Sequence, residues 1–258
     1  MNSPPKILLF DSGLGGLTVF REVIKARPDA TYFYLADDAR FPYGRISQDE
    51  LVPRVLDIIG KAIVAHAPDL VVVACNTAST LALKELRAVF RVLFVGTVPA
   101  IKPACAGSKS KLVSVLGTEA TVAREYTMGL IREFAQDCEV KLVGSAWLAA
   151  FAEAELNGNP ASDEAIAAEL APCFIEKDGK RTDTIALACT HYPLLGERLK
   201  TLAPWPVEWI NPAPAIARRV LDLTGKSSNA QGPPATITFT SGRSPSPQLA
   251  KALAAFGF

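Results

Sequence analysis

The stretches VVVACNTAST (71–80) and IALACTHYPLL (185–195) each carry an apolar run that ends in Ala-Cys and passes at once into polar side chains. A free cysteine is a small hydrophobe and is commonly buried, which would account for either stretch alone. Two matching strand ends ask for a joint explanation. Thiols on opposite sides of a small molecule suit proton exchange at a stereocentre: one thiolate removes a proton from one face, the other thiol delivers one to the opposite face, and the roles swap in reverse. A thiol pKa of about 8.5, lowered by nearby donors or a helix N-terminus, makes a usable base near neutrality. A disulfide-exchange pair would normally be close in sequence, which Cys75 and Cys189 are not. A cysteine hydrolase would need one thiol with a basic histidine, whereas this chain offers a thiol in each stretch. His191, two residues after Cys189, is placed to assist.

Two further segments suit an anionic ligand. DSGLGGLTV sets Asp11, Ser12, Gly13, Gly15 and Gly16 between a strand and a helix, where bare backbone N–H groups can face an anion. GLGG is not the GxGxxG of dinucleotide sites, so a carboxylate or short polar ligand fits better than a nucleotide. Asp11 or Ser12 as a helix cap is the alternative reading. In GTEAT, Thr118 and Thr121 stand three apart at a helix start, as caps or as carboxylate-binding hydroxyls. ADDARFPYG (36–44) reads as a loop turning at Pro42-Tyr43-Gly44.

These residues need a scaffold that brings distant segments together. Short apolar runs alternate with helix-like stretches throughout, the pattern of an α/β protein with mainly parallel strands. Strands are expected at 6–10, 31–36, 70–74, 92–95, 111–116, 139–143, 184–188, 207–209 and 236–240, and helices over 47–66 and after Gly16, Thr77, Thr121, Ser162 and Pro193. Continuous runs such as VVVA and IALA suit strands covered on both faces. KILLFDSGLGGLTV (6–19) also resembles KLVSVLGTEATV (111–122), and VVVACNTA (71–78) resembles IALACTHY (185–192). This order suggests two related halves, each giving one Gly/Thr loop and one cysteine. Ligands of open parallel sheets sit beyond the carboxyl ends of the strands. Two halves facing each other would bring Cys75 and Cys189 into one cleft.

Composition narrows the partners. With 258 residues, 49% hydrophobic and 21% charged, the chain can bury the core of one large or two ordinary domains. Its 27 basic and 26 acidic residues are well mixed, so nucleic acid is not suggested as a partner. No apolar run reaches the length of a membrane span, and MNSPPKILLFD lacks the features of a secretory peptide, so a cytoplasmic location is expected. Five scattered cysteines and two histidines make neither a disulfide framework nor a zinc site. Cys105, Cys138 and Cys173 are expected to be packing residues. SSNAQGPP (227–234) is the most linker-like segment.

As a set, FDSGLGGLTV, DDARFPYG, VVACNTAS, GTVPAIKPA, LGTEATV, LACTHYPLL and the late FTSG resemble glutamate racemase of the cofactor-independent Asp/Glu racemase superfamily, over nearly the whole chain. The resemblance implies two pseudosymmetric α/β domains with the active site in the cleft between them. Residues 1–98 and 208–258 would form the first domain and 99–207 the second. It implies interconversion of L- and D-glutamate without pyridoxal phosphate or metal, supplying D-glutamate for peptidoglycan, and a homodimer as the expected assembly. Paired acid/base roles carry over onto Cys75 and Cys189, with Asp11 and His191 as helpers. Asp11, Ser12, Pro42, Tyr43, Gly44, Asn76, Thr77, Thr118, Thr121, Thr190 and His191 would line the substrate site. Glu153, in WLAAFAEAELNG, falls where the family has a glutamate, although the family's Cys-Pro and second proline are missing here. Asn211-Pro212 replaces Asp-Ser before the returning helix, a change expected to touch the interdomain return or a helix cap. A racemase for aspartate or hydantoins, and an inactive binding or regulatory protein on the same fold, are the alternatives.

Overall fold

The computed structural model describes residues 4–227 and 230–258. The apolar runs become strands Lys6–Asp11 (β1), Thr31–Ala36 (β2), Leu70–Val73 (β3), Leu93–Gly96 (β4), Leu112–Thr118 (β5) and Glu139–Ser145 (β6). A short pair follows, Glu176–Lys177 (β7) and Lys180–Arg181 (β8), then Thr184–Ala188 (β9), Glu208–Ile210 (β10) and Thr236–Phe239 (β11). Two parallel sheets result, ordered β11-β2-β1-β3-β4 and β6-β5-β9-β10. Apart from the extra edge strand β11, the orders are the same: β5 takes the place of β1, and β9 that of β3. The repeat read in the sequence is therefore a repeat of topology.

Residues of β3 and β9 are all buried because helices cover both faces of each sheet. Along β1 the burial alternates between two cores: Ile7 and Leu9 face one, Leu8 and Phe10 the other. In the second sheet Ile185 and Leu187 face one core while Ala186 and Ala188 face another. Phe239 of β11 and Leu249 and Leu253 of the helix Pro247–Ala254 complete a core of the first sheet, around Phe20.

The second sheet changes one expectation. β10 pairs with β9, so residues 208–210 belong to the second sheet, and the chain turns back at Asn211-Pro212 rather than at 208. Edge strand β10 has only three residues, a weak basis for locating a boundary from sequence. The other passage lies between β4 and the helix Ile101–Gly107. Pro212 is the N-cap residue of the helix Ala213–Thr224, and Asn211, just before it, accepts at Oδ1 from Ala213 N at 3.0 Å, a local turn that leads into the helix. Of the linker-like stretch 227–234, Ser228 and Asn229 lie outside the described residues. No helix among the described residues is long and apolar enough to cross a membrane.

Candidate active site

Each sheet ends its two central strands in the residues singled out above. β1 ends at Asp11, β5 at Thr118, and Cys75 and Cys189 follow β3 and β9 closely. The carboxyl ends of the two sheets enclose one cavity, lined by Ser12, Pro42, Tyr43, Gly44, Cys75 and Asn76. Thr77, Thr118, Cys189, Thr190 and His191 line it from the same and the opposing lobe. The two sulfurs thus come from different lobes to one cavity. About 20 Å³ of free space remains, room for about one water.

Asp11, Thr121 and Glu153 stand one contact behind this lining. The Thr190 hydroxyl donates to Asp11 Oδ1 at 3.1 Å, and Gly13 N donates to Oδ2 at 3.2 Å. Complete burial pushes the Asp11 carboxyl up to about 6, although the nearby His191 charge and these donors act in the opposite direction. The hydroxyls of Thr77, Thr118 and Thr121 form a triangle of 3.3, 3.2 and 2.9 Å edges that bridges the lobes.

Cys75 is the N-cap residue of the helix Asn76–Val89. Ala78 N and the Ser12 hydroxyl, 3.7 Å away, face its sulfur. Burial, reinforced by the Asp11 charge, outweighs those contacts and pushes the thiol up to about 12. Beside it, both amide atoms of Asn76 are buried and have no hydrogen-bond partner among the described residues. Leaving such groups unpaired costs about 1–3 kcal/mol each. An amide held unpaired at a cavity wall is a ligand contact in waiting.

The other thiol has a different partner. Cys189 Sγ lies 3.8 Å from His191 Nδ1. His191 Nε2 lies 3.1 Å from both Gly15 N and Glu153 Oε1, and Leu14 N donates to the same Glu153 oxygen at 2.7 Å. A ring protonated only at Nδ1 accepts at Nε2 from Gly15, whereas a ring protonated at Nε2 donates there to Glu153 and, when neutral, leaves Nδ1 open toward Cys189. Each protonation state therefore has a partner in place. Burial alone would lower the His191 pKa, but the hydrogen bonds to Cys189 and Glu153 prevail and hold it well above the usual histidine value. Glu153 thus sits within the constellation despite the altered sequence around it.

The expected residues all gather here, but Tyr43 does so differently. Its hydroxyl donates to Asp37 Oδ2 at 2.5 Å, so its polar end is already engaged. Asp37 is gripped as well by Arg54 at 2.6 and 2.5 Å and by the Thr240 hydroxyl at 2.5 Å. Burial would raise the Asp37 pKa, yet these bonds bring it below the ordinary carboxylate value. This buried anchor fixes the 41–44 loop, and the sequence reading missed it even though Asp37 and Thr240 fall inside the DDARFPYG and FTSG motifs. Phe41, Ala149 and Ala188, also missed, complete the cavity wall. They are apolar and gave no signal of their own.

A family model for Asp/Glu/hydantoin racemase matches residues 16–220. The glutamate racemase of Brucella canis is 55% identical over 218 residues, covering 84% of this chain and 79% of that protein. The glutamate racemase of Brucella anthropi is 54% identical over the same length, covering 84% and 78%. Among solved structures, Escherichia coli glutamate racemase in complex with L-glutamate and the activator UDP-MurNAc-Ala superposes with a TM-score of 0.90 at 38% identity, covering 99% of this chain and 96% of that one. Bacillus anthracis glutamate racemase isoform RacE1 superposes with a TM-score of 0.83 at 27% identity, covering 100% and 96%.

Proposed function

The chain belongs to the Asp/Glu/hydantoin racemase family, and from that premise we propose that it interconverts L- and D-glutamate by proton transfer between Cα and two cysteines. The observation that carries this reading is the arrival of Cys75 and Cys189 from different lobes at one buried cavity.

The two thiols are served differently. With the neutral ring's proton at Nε2 facing Glu153, Cys189 passes its proton to the open Nδ1, leaving a thiolate beside an imidazolium that Glu153 stabilises, and this sulfur can then remove the α-proton. Cys75, held up to about 12, is in its thiol form at neutral pH and delivers a proton to the opposite face. In the reverse direction Cys75 must lose its proton first. Asp11, at about 6, is the base on that side, and the N-cap position with the Ala78 amide favours the thiolate once formed. The unpartnered Asn76 amide and the threonine triangle are the groups suited to the substrate's carboxylates. Their fixed dipoles would also stabilise charge developing at Cα without reorganising. Glutamate needs far more room than a single water, so the lobes must part for it to enter. D-glutamate made this way would serve peptidoglycan in the cytoplasm, with the homodimer as the expected assembly.

The test is turnover of each glutamate enantiomer without pyridoxal phosphate and with chelator present, followed by circular dichroism in D₂O. Glutamate should racemise and acquire solvent deuterium at Cα. Complete retention of the original hydrogen would reject exchange through solvent-equilibrated thiols. Preferential turnover of aspartate or a hydantoin would reassign the substrate, and no turnover across the panel would favour a binding protein.

One backbone substitution probes the His191 side. A Cβ at Gly15 would lie 2.3 Å from His191 Nδ1 and 2.6 Å from the Thr190 hydroxyl, both on buried side chains. Gly15→Ala should therefore lower kcat about a hundredfold by displacing the imidazole. Steady-state kinetics beside a melting curve would check this, and an unchanged kcat would show that the ring's position is not needed.

A further inference from the structure

The two lobes meet at the surface as well as in the cavity. Tyr43–Arg45 forms a short helical turn of the first lobe, and Gly44, at its centre, lines the cavity. A Cβ added to Gly44 would lie 3.1 Å from Thr118 Cβ of the second lobe, so the facing walls are already close. One residue further out, the Arg45 guanidinium lies over the ring of Trp147, 4.9 Å from its centroid. Trp147 stands between β6 and the helix Leu148–Leu156 of the second lobe, and Ala149 of that helix lines the same cavity.

Trp147 is 50% exposed, a large apolar ring left at the surface beside the cavity. Arg45 is exposed too, and among the described residues it has no carboxylate within ion-pair distance. An exposed arginine without an anion, seated over an exposed indole, is a cation–π contact. It joins segments that any parting of the lobes at this edge would separate.

We infer that Arg45 and Trp147 form a latch across the mouth of the cleft, favouring the closed state and thereby helping to retain bound substrate. Their role is positional: neither lines the cavity, and neither handles a proton. The inference rests on this cleft being the substrate site. A contact of this exposed class corresponds to about a two- to fivefold bias between states. Loss of the latch should raise KM for both enantiomers by about that factor and leave kcat equal or higher, because opening and product release become easier.

The test is a double-mutant cycle of Arg45→Ala, Trp147→Ala and the double variant, read as KM and kcat in both directions. The expected result is that either single change raises KM by about two- to fivefold and the second adds almost nothing. Multiplicative effects would show that the residues act independently and would overturn the latch. So would a fall in kcat with unchanged KM. A second reading does not depend on turnover. In a Trp205→Phe/Trp209→Phe background, emission comes from Trp147 alone, and acrylamide should quench it more strongly once Arg45→Ala is introduced. Equal quenching would overturn the inference. Increased quenching in a chain that turns over no glutamate would instead leave the contact standing and reject the proposed activity.

Discussion

Cys75→Ser and Cys189→Ser should each lower glutamate racemisation by about 10²–10⁴-fold or more, in both directions. A hydroxyl in place of either sulfur keeps the shape but is far too weak an acid to alternate between donor and base near neutral pH. Each turnover needs one group on each face of Cα, so the loss of either stops the cycle whichever enantiomer is supplied. Folding should survive. The two side chains are 5% and 7% exposed, and burying a hydroxyl instead of a thiol costs about 1–2 kcal/mol. Circular dichroism of turnover, with near-UV spectra and melting of the same samples, separates the effects. Full activity in either variant would reject the two-thiol assignment.

Asp11→Asn should lower activity about a hundredfold and remove the pH dependence that this carboxyl gives to stability. The Asp11 carboxyl is fully buried and raised from 3.8 to about 6, chiefly by loss of solvation. Its protonated form is the one that the folded protein prefers. The stability this contributes is complete below the unfolded pKa, near 4, and is lost as pH rises through about 6. A shift of this size corresponds to about 3 kcal/mol. Wild type should therefore lose that much, relative to Asp11→Asn, between pH 4 and pH 6. Activity should show the opposite trend. A base for the Cys75 proton is needed as carboxylate, so wild-type activity should climb through about pH 6 and the variant should lack that limb. Melting curves and initial rates across this range test both halves. Equal pH dependence of stability in the two chains would show that Asp11 is not the strained group.

What could be read in the sequence was set by the range of the forces involved. Strands such as VVVA and IALA are local patterns, and so are the loops that follow them. Two related halves could be anticipated because the chain repeats the same ordered segments, but the pairing of β1 with β3 and of β5 with β9 emerged only in the structure. The hairpin of β7 and β8 was missed because its Asp178-Gly179 turn, with φ of 51° and 72°, is flanked by charged residues rather than an alternating apolar pattern. The three-residue β10 was expected, but sequence gave no sign of which sheet it would join. In the site, motif residues were visible but their partners were not. Nothing local pairs Glu153 with His191, or Asp37 with Thr240, because those contacts span 38 and 203 positions and exist only after folding. The engaged hydroxyl of Tyr43 belongs to the same class.

The route of the chain has a consequence for its birth on the ribosome. The second sheet and its connections emerge as an uninterrupted length, so that lobe can consolidate as soon as it clears the exit tunnel. The first lobe cannot, since β11 and the helix Pro247–Ala254 supply its edge and part of its interior only after the other lobe has been made. A nascent chain therefore carries an unfinished N-terminal half through most of synthesis, with β2 still lacking its outer neighbour. That interval is when chaperone protection would matter most.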